Sequence, residues 1–138
     1  MYNLQFAMRY VYIVLMFSML GLTACHKNTA EEEAQMVLKE ALEALEKDDQ
    51  EGYLKHVDWC GEMDADRETV MRNVLKQHME WRRKERAAVV SIDMIDAKMD
   101  GDTICTVYYQ YAFADGTQET GAQKMVRYGD DWKIRLRN

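Results

Sequence analysis

The sequence contains no proline in its 138 residues and only 7 glycines. Because proline interrupts helices and central strands, its absence is compatible with long uninterrupted elements, and by itself it decides little more. A basic excess is also missing, since 24 acidic residues against 18 Lys and Arg give a net charge of −6. This balance argues against nucleic acid as a partner. The length leaves room for one domain and excludes a large multidomain enzyme.

The amino-terminal segment has almost no charge, because Arg9 is the one charged residue before position 25. The apolar run from Val11 to Leu22 is as long as the core of a signal peptide and shorter than the roughly 20 residues that a membrane-spanning helix needs. A start at Met1 gives a leader without an early positive charge, whereas a start at Met8 places Arg9 directly after the initiator. The sequence leaves both start sites open.

A lipid-attachment motif follows this apolar run. The residues Leu22-Thr23-Ala24-Cys25 resemble the lipobox of bacterial lipoproteins. The resemblance implies cleavage before Cys25 and lipidation of its thiol. We therefore expect three segments: a lipoprotein signal peptide at residues 1–24, a lipidated tether at residues 25–29 and a folded domain at residues 30–138.

The lipid predicts a location in the cell envelope, with the membrane as one partner of the protein. More than one acyl chain is needed for stable anchoring, and the resemblance implies two or three on Cys25. His26 stands where an aspartate would resemble the signal for retention in the inner membrane. We therefore expect anchoring in the outer membrane rather than the inner one.

Helical signals dominate the first half of the predicted domain. Thr29 and Glu32 have the spacing of a capping box, and apolar residues then recur at helical intervals to about Lys47. Asp48 and Glu51 repeat the box for a short second helix that carries Tyr53, Leu54 and Val57. A third helix, capped by Asp64 or Asp66, runs to about Arg86, with Val70, Val74, Leu75, His78 and either Trp81 or Met79 near one face.

Strand signals dominate the second half, where the apolar period changes to two. Val90, Ile92 and Met94 alternate with polar residues, and Cys105, Val107, Tyr109, Tyr111 and Phe113 share one face of the next strand. Turns rich in Asp and Gly separate these strands from two more, at Glu119–Tyr128 and Trp132–Leu136. We predict an α+β fold in which three N-terminal helices pack on a four-stranded antiparallel meander.

Two segments carry a family resemblance. The run from Ala44 to Tyr53 is similar to the junction between the first two helices of the nuclear-transport-factor-2-like (NTF2-like) superfamily, a cystatin-like α+β fold, and Tyr128–Ile134 is similar to its final hairpin. The resemblance implies a curved sheet that forms a cone around the long helix, with Trp132 closing the core. Together with the lipobox, these segments resemble small uncharacterised lipoproteins of the Gram-negative envelope.

Several residues could line a pocket of such a domain. The superfamily includes isomerases and dehydratases, whose sites need a base and a proton donor near the substrate. Tyr109, Tyr111, His78 and Trp132 are the candidate pocket residues, and His56, Asp58 and Asp93 are further titratable groups. None of them falls in a catalytic motif, and strand tyrosines usually belong to a core. We therefore predict no catalytic residues and no enzyme activity.

Cys60 and Cys105 remain once Cys25 is lipidated. In an oxidising envelope they could form a disulfide, and burial as two free thiols is the open alternative. His56 and Cys60 are four residues apart, but no second ligand pair accompanies them, so we predict no metal and no other cofactor. The basic cluster Arg82, Arg83, Lys84 and Arg86 falls at a helix C-terminus, where intramolecular or solvated charge is the expected role.

Three functions are compatible with these features. The first is a lipid-anchored envelope domain that binds a protein or small ligand without catalysis. The second is a small pocket enzyme of the isomerase or dehydratase kind. The third is an assembly module that forms a homodimer through its sheet, with exposed Tyr108 and Met125 as contact residues.

Overall fold

The computed structural model describes residues 27–59 and 64–136. Within these ranges the chain forms three helices and one five-stranded sheet with the strand order β1-β5-β4-β3-β2. The helices are α1 (Ala30–Glu46), α2 (Gln50–Leu54) and α3 (Ala65–Glu85). The strands are β1 (Val57–Asp58), β2 (Val89–Asp100), β3 (Ile104–Phe113), β4 (Gln118–Tyr128) and β5 (Asp131–Arg135). The α+β class is therefore as predicted. None of the helices in the described ranges is long and apolar enough to cross a membrane.

Side-chain caps explain where the helices begin. Thr29 Oγ1 accepts a hydrogen bond from the Glu32 N–H at 3.2 Å, which is the predicted cap of α1. The cap of α2 is Asp49, one residue after the predicted Asp48, and it accepts from the Gly52 N–H at 2.9 Å. Asp48 instead has a φ of 60° in the turn that follows α1. This left-handed residue lets α1 and α2 follow each other with almost no linker.

The sheet differs from the predicted meander in one strand. Strands β2 to β5 are antiparallel neighbours, but β1 adds a fifth strand that runs parallel to β5, with Val57 opposite Ile134. The prediction placed Val57 on the second helix, whereas α2 ends at Leu54. The Ile134 N–H donates to the His56 carbonyl at 2.6 Å, so the edge of β5 is paired rather than open.

The core lies between α1 and one face of the sheet, called here the inner face. One row of side chains crosses this face from β1 to β2: Val57, Ile134, Met125, Cys105 and Met99. The apolar side of α1 packs against it, and Trp132 is fully buried. The residues that were predicted to share one face of β3 all belong to this core or pack against it.

Two sheet residues lie elsewhere than predicted. Met125 was expected as an exposed contact residue, but it is fully buried on the inner face, opposite both Cys105 and Ile134. Val90 is exposed although it alternates in sequence with buried Ile92. The β2–β3 register shifts between Val89 and Ser91, and this irregularity breaks the simple alternation.

Only a few side chains of helix α3 are buried against the rest of the domain. Of its 21 residues, only Leu75 and Met79 are buried. The prediction placed Val70, Val74 and His78 near one face together with Leu75 and with either Trp81 or Met79. Leu75 and Met79 are buried, but Val70 is 62%, Val74 53% and Trp81 56% exposed, and His78 is exposed as well. The prediction was wrong for the two valines and His78 because the helix carries two apolar stripes, and the sequence alone does not show which of them meets the sheet.

Candidate functional site

The predicted pocket residues do not converge on one cavity. Tyr111 is buried, and its ring stands edge-on to Tyr109 at 5.6 Å and stacks with Phe113 at 6.3 Å. Trp132 is buried near α1, while His78 is exposed on α3, where it stacks with Trp81. The rings of Tyr109, Tyr111 and Trp132 pack on the inner face, whereas His78 lies apart from them.

Burial keeps the inner tyrosines protonated. Burial is the main cause that raises the pKa of Tyr111, and the nearby Arg82 guanidinium opposes it only in part. The pKa values of Tyr53 and Tyr109 are also raised, again mainly by burial. Neutral phenols of this kind can donate a hydrogen bond, but they cannot act as bases near neutral pH.

The other titratable candidates lie apart from the tyrosines. His56 is largely buried beside Glu40, 3.5 Å from its carboxylate, and burial is the main cause that lowers its pKa. Asp58, on the short edge strand β1, accepts a hydrogen bond from the Tyr128 hydroxyl at 2.9 Å. Asp93 is an exposed residue of β2 and accepts from the Ser91 hydroxyl at 3.3 Å. The structure does not assemble these groups into an acid–base pair.

The basic cluster at the end of α3 is engaged within the molecule. Arg82 pairs with Glu46 at 2.8 Å, Arg83 with Asp48 at 2.5 Å, and Arg86 with Glu119 at 3.1 Å. A cavity of about 340 Å³ lies among these arginines and the start of β2. Because each guanidinium already has a carboxylate partner, the cluster is better suited to holding α3 against the rest of the domain than to binding an anion.

An acidic groove of about 490 Å³ lies between α1 and the turn that leads into β5. Lys39 lies 3.9 Å from Glu43, and Lys55 lies 3.3 Å from Glu40, so part of its negative charge is compensated. Buried Trp132 lines the groove, and its indole N–H has no hydrogen-bond partner in the described part of the chain. In residues 27–59 and 64–136, no group of three or more His, Cys, Asp or Glu side chains could hold a metal ion.

A more apolar concave surface lies beside α3. This α3 groove has a volume of about 560 Å³, and Val70 and Val74 of the helix form one wall. Trp59, which follows β1, and Leu136, which follows β5, contribute apolar surface from two other segments. The remaining lining residues are Asp58, Asp66, Arg67 and Met71. Sequence reasoning missed this groove because its lining comes from three segments that no local pattern connects.

The cysteines are only partly described. Cys105 is fully buried on the inner face, and burial is the main cause that raises its thiol pKa. Cys25 and Cys60 lie outside the described residues. The predicted lipid attachment therefore stays a prediction, and a disulfide between Cys60 and Cys105 stays one of two alternatives.

The fold is similar to that of solved proteins. A Campylobacter jejuni protein that is named an NTF2-like transpeptidase has a TM-score of 0.63 at 11% identity, and the match covers 75% of this chain and 97% of that one. A SEC-C motif containing protein from Rhodopseudomonas palustris has a TM-score of 0.46 at 10% identity, over 72% of each chain. The sequence matches no known family model and no curated protein. At this identity the first similarity shows the fold alone, which is NTF2-like.

Proposed function

We propose that this chain is a lipid-anchored protein of the cell envelope whose NTF2-like domain binds a partner protein or a small ligand without catalysis. The observation that carries the proposal is the α3 groove, in which Val70 and Val74 are more than half exposed beside Trp59 and Leu136. Exposed apolar side chains that meet in a concave surface are typical of binding sites. The α3 groove is therefore the proposed binding site.

The arrangement of the inner face supports binding over catalysis. An isomerase or dehydratase, the alternative function, needs a base and a proton donor that face the same substrate. Tyr109 and Tyr111 pack against each other on the inner face, while His56 lies beside Glu40 at the other end of the sheet order, next to β1. Dimerisation through the sheet is the other alternative, and it loses one of its two proposed contacts because Met125 is buried.

The proposed anchor is Cys25, on the strength of its lipobox. The mature protein would then be held at the membrane, in the outer rather than the inner membrane, by the short tether that ends where Thr29 caps α1. Metabolic labelling with a fatty-acid analogue tests this part of the proposal. The full chain should incorporate the label and Cys25→Ala should accumulate as an unlabelled precursor, whereas a labelled Cys25→Ala protein would refute the assignment.

Site-specific photocrosslinking in intact cells tests the binding site. A photoreactive amino acid at position 74, in the α3 groove, should give a discrete crosslinked product with the anchored full-length chain. The matched control carries the same amino acid at position 98, an exposed lysine of β2 in the wild-type chain that lies away from the groove. Equal labelling at both positions, or no product at position 74, would contradict a binding role for the α3 groove.

A further inference from the structure

The acidic groove beside α1 has a buried hydrogen-bond donor among its lining residues. Trp132 lines this groove and is 1% exposed, and its indole N–H has no hydrogen-bond partner in the part of the chain that the structure describes. The Arg127 guanidinium lies 5.3 Å from the centre of the ring and donates to the Asp102 carbonyl at 2.6 Å, so the indole is held in place from that side. A buried donor without an acceptor costs free energy, and native structures normally supply a partner. A molecule bound in the groove is one source of that acceptor.

Two carboxylates of the acidic groove lack a countercharge. Glu33, on α1, and Asp130, in the turn before β5, form no ion pair with the described residues, whereas the other two acidic lining residues each have a lysine beside them. Four acidic residues and one lysine give the lining a net charge of −3. The groove therefore favours a cation over a neutral molecule or an anion.

A short apolar strip lies between the charges of α1. Met36 and Val37 both line the groove, between Glu33 and Glu40, and they share a side of the helix with these residues because positions three and four apart are neighbours. Met36 is 59% exposed. The acidic groove thus combines unpaired negative charge, one buried donor and a small apolar surface.

We propose that the acidic groove binds a primary amine that carries an uncharged oxygen acceptor next to its ammonium group, which is the chemistry of an amino amide. The ammonium group pairs with Glu33 and Asp130, and the oxygen accepts a hydrogen bond from the Trp132 indole. The apolar part of the ligand packs on Met36 and Val37. A free amino acid fits less well, because the acidic lining repels its carboxylate. This site is separate from the α3 groove and does not depend on the function proposed for it.

NMR spectroscopy of the full-length chain in detergent micelles tests the site with L-leucinamide at about pH 6.5, where an α-amino group is protonated. The indole N–H signal of Trp132, assigned by elimination with Trp59→Phe and Trp81→Phe, should move as leucinamide is added. Two analogues each remove one feature: N-acetyl-leucinamide has no positive charge, and 3-methylbutylamine has no acceptor. Each should bind about tenfold more weakly, since a charge-assisted contact or a buried hydrogen bond is lost. An unmoved Trp132 signal, or an analogue that binds as well as leucinamide, would overturn the proposal.

Substitution of the two unpaired carboxylates is the second test. The double variant Glu33→Gln with Asp130→Asn should weaken leucinamide binding about tenfold, because both ion pairs to the ammonium group are lost. The control double variant, Glu85→Gln with Asp93→Asn, removes the same charge from exposed residues outside the groove and should leave binding unchanged. An equal loss in both double variants would show a general attraction to an acidic protein and no site at the groove. Photocrosslinking at position 74 tests the α3 groove independently, so either site can fail without the other.

Discussion

The guanidinium of Arg82 lies 4.6 Å above the ring centre of Tyr111 while its Nη1 donates to Glu46 at 2.8 Å. One side chain of α3 thus contacts both the inner face of the sheet and the last turn of α1. Together with the buried side chains of Leu75 and Met79, this contact attaches α3 to the rest of the domain.

Removing Arg82 should loosen α3 more than removing its neighbour. Arg82→Met leaves Glu46 without its partner in a site where the two side chains are 11% and 23% exposed, and we expect a loss of about 2 to 3 kcal/mol in the free energy of unfolding. The control Arg83→Met breaks an exposed ion pair and should cost about 1 kcal/mol or less. Urea unfolding of both variants measures the difference, and equal losses would contradict this role for Arg82.

Gly121 should not tolerate a side chain while Tyr109 is present. A Cβ at position 121 would lie 2.5 Å from the end of the Tyr109 ring, which is closer than real contacts allow. We expect Gly121→Ala to cost about 1 to 3 kcal/mol, because the Tyr109 ring also packs against Tyr111 and has little room to move.

A double-mutant cycle isolates this contact. In a Tyr109→Ala background the same Gly121→Ala substitution should cost little, because the ring that it meets is gone. Thermal or urea unfolding of the four proteins gives the coupling energy. An equal cost in both backgrounds would mean that the backbone of β4, and not the tyrosine, restricts position 121.

Local patterns in the sequence were enough to predict the elements that one periodic signal defines. The Thr29 cap and the alternation of β3 each depend on residues a few positions apart, and both appear in the structure as predicted. The α+β order of elements also follows from such signals. These features can be predicted without knowing which elements pack together in the fold.

The features that were missed depend on distant contacts. Strand β1 has two residues, which are too few to show an apolar period in the sequence. It forms because Val57 and Asp58 pair with the edge of β5. Met125 and Val126 are adjacent apolar residues, so the sequence alone does not show which of them faces the core. The two apolar stripes of α3 have the same problem, because the sequence does not show which stripe faces the core. The α3 groove is lined in part by Leu136, which follows Val74 by 62 positions in the sequence.

His56 should make the domain less stable as the pH falls. Its pKa in the folded state is lowered by burial, and the attraction of Glu40 offsets this only in part, while Lys55 and Lys133 lower it further. The unfolded chain therefore binds a proton at His56 more readily than the folded one. The free energy of unfolding should fall as the pH drops through about 6.5, and it should level off below the folded pKa.

Substitution of the two described histidines tests this assignment. His56→Gln should flatten the pH dependence of urea unfolding between about pH 8 and about pH 5. His78→Gln replaces the other described histidine, which is exposed on α3, and is the matched control. A steep dependence that survives His56→Gln would assign the effect to other groups.

Cys105 should be a reduced thiol that is protected in the folded protein. It is a free thiol and is fully buried on the inner face. We therefore expect alkylation of Cys105 only after denaturation and without added reductant, as peptide mass analysis would show. In the Cys60→Ser control the same labelling is expected, whereas a need for reductant in the wild type alone would establish the Cys60–Cys105 disulfide.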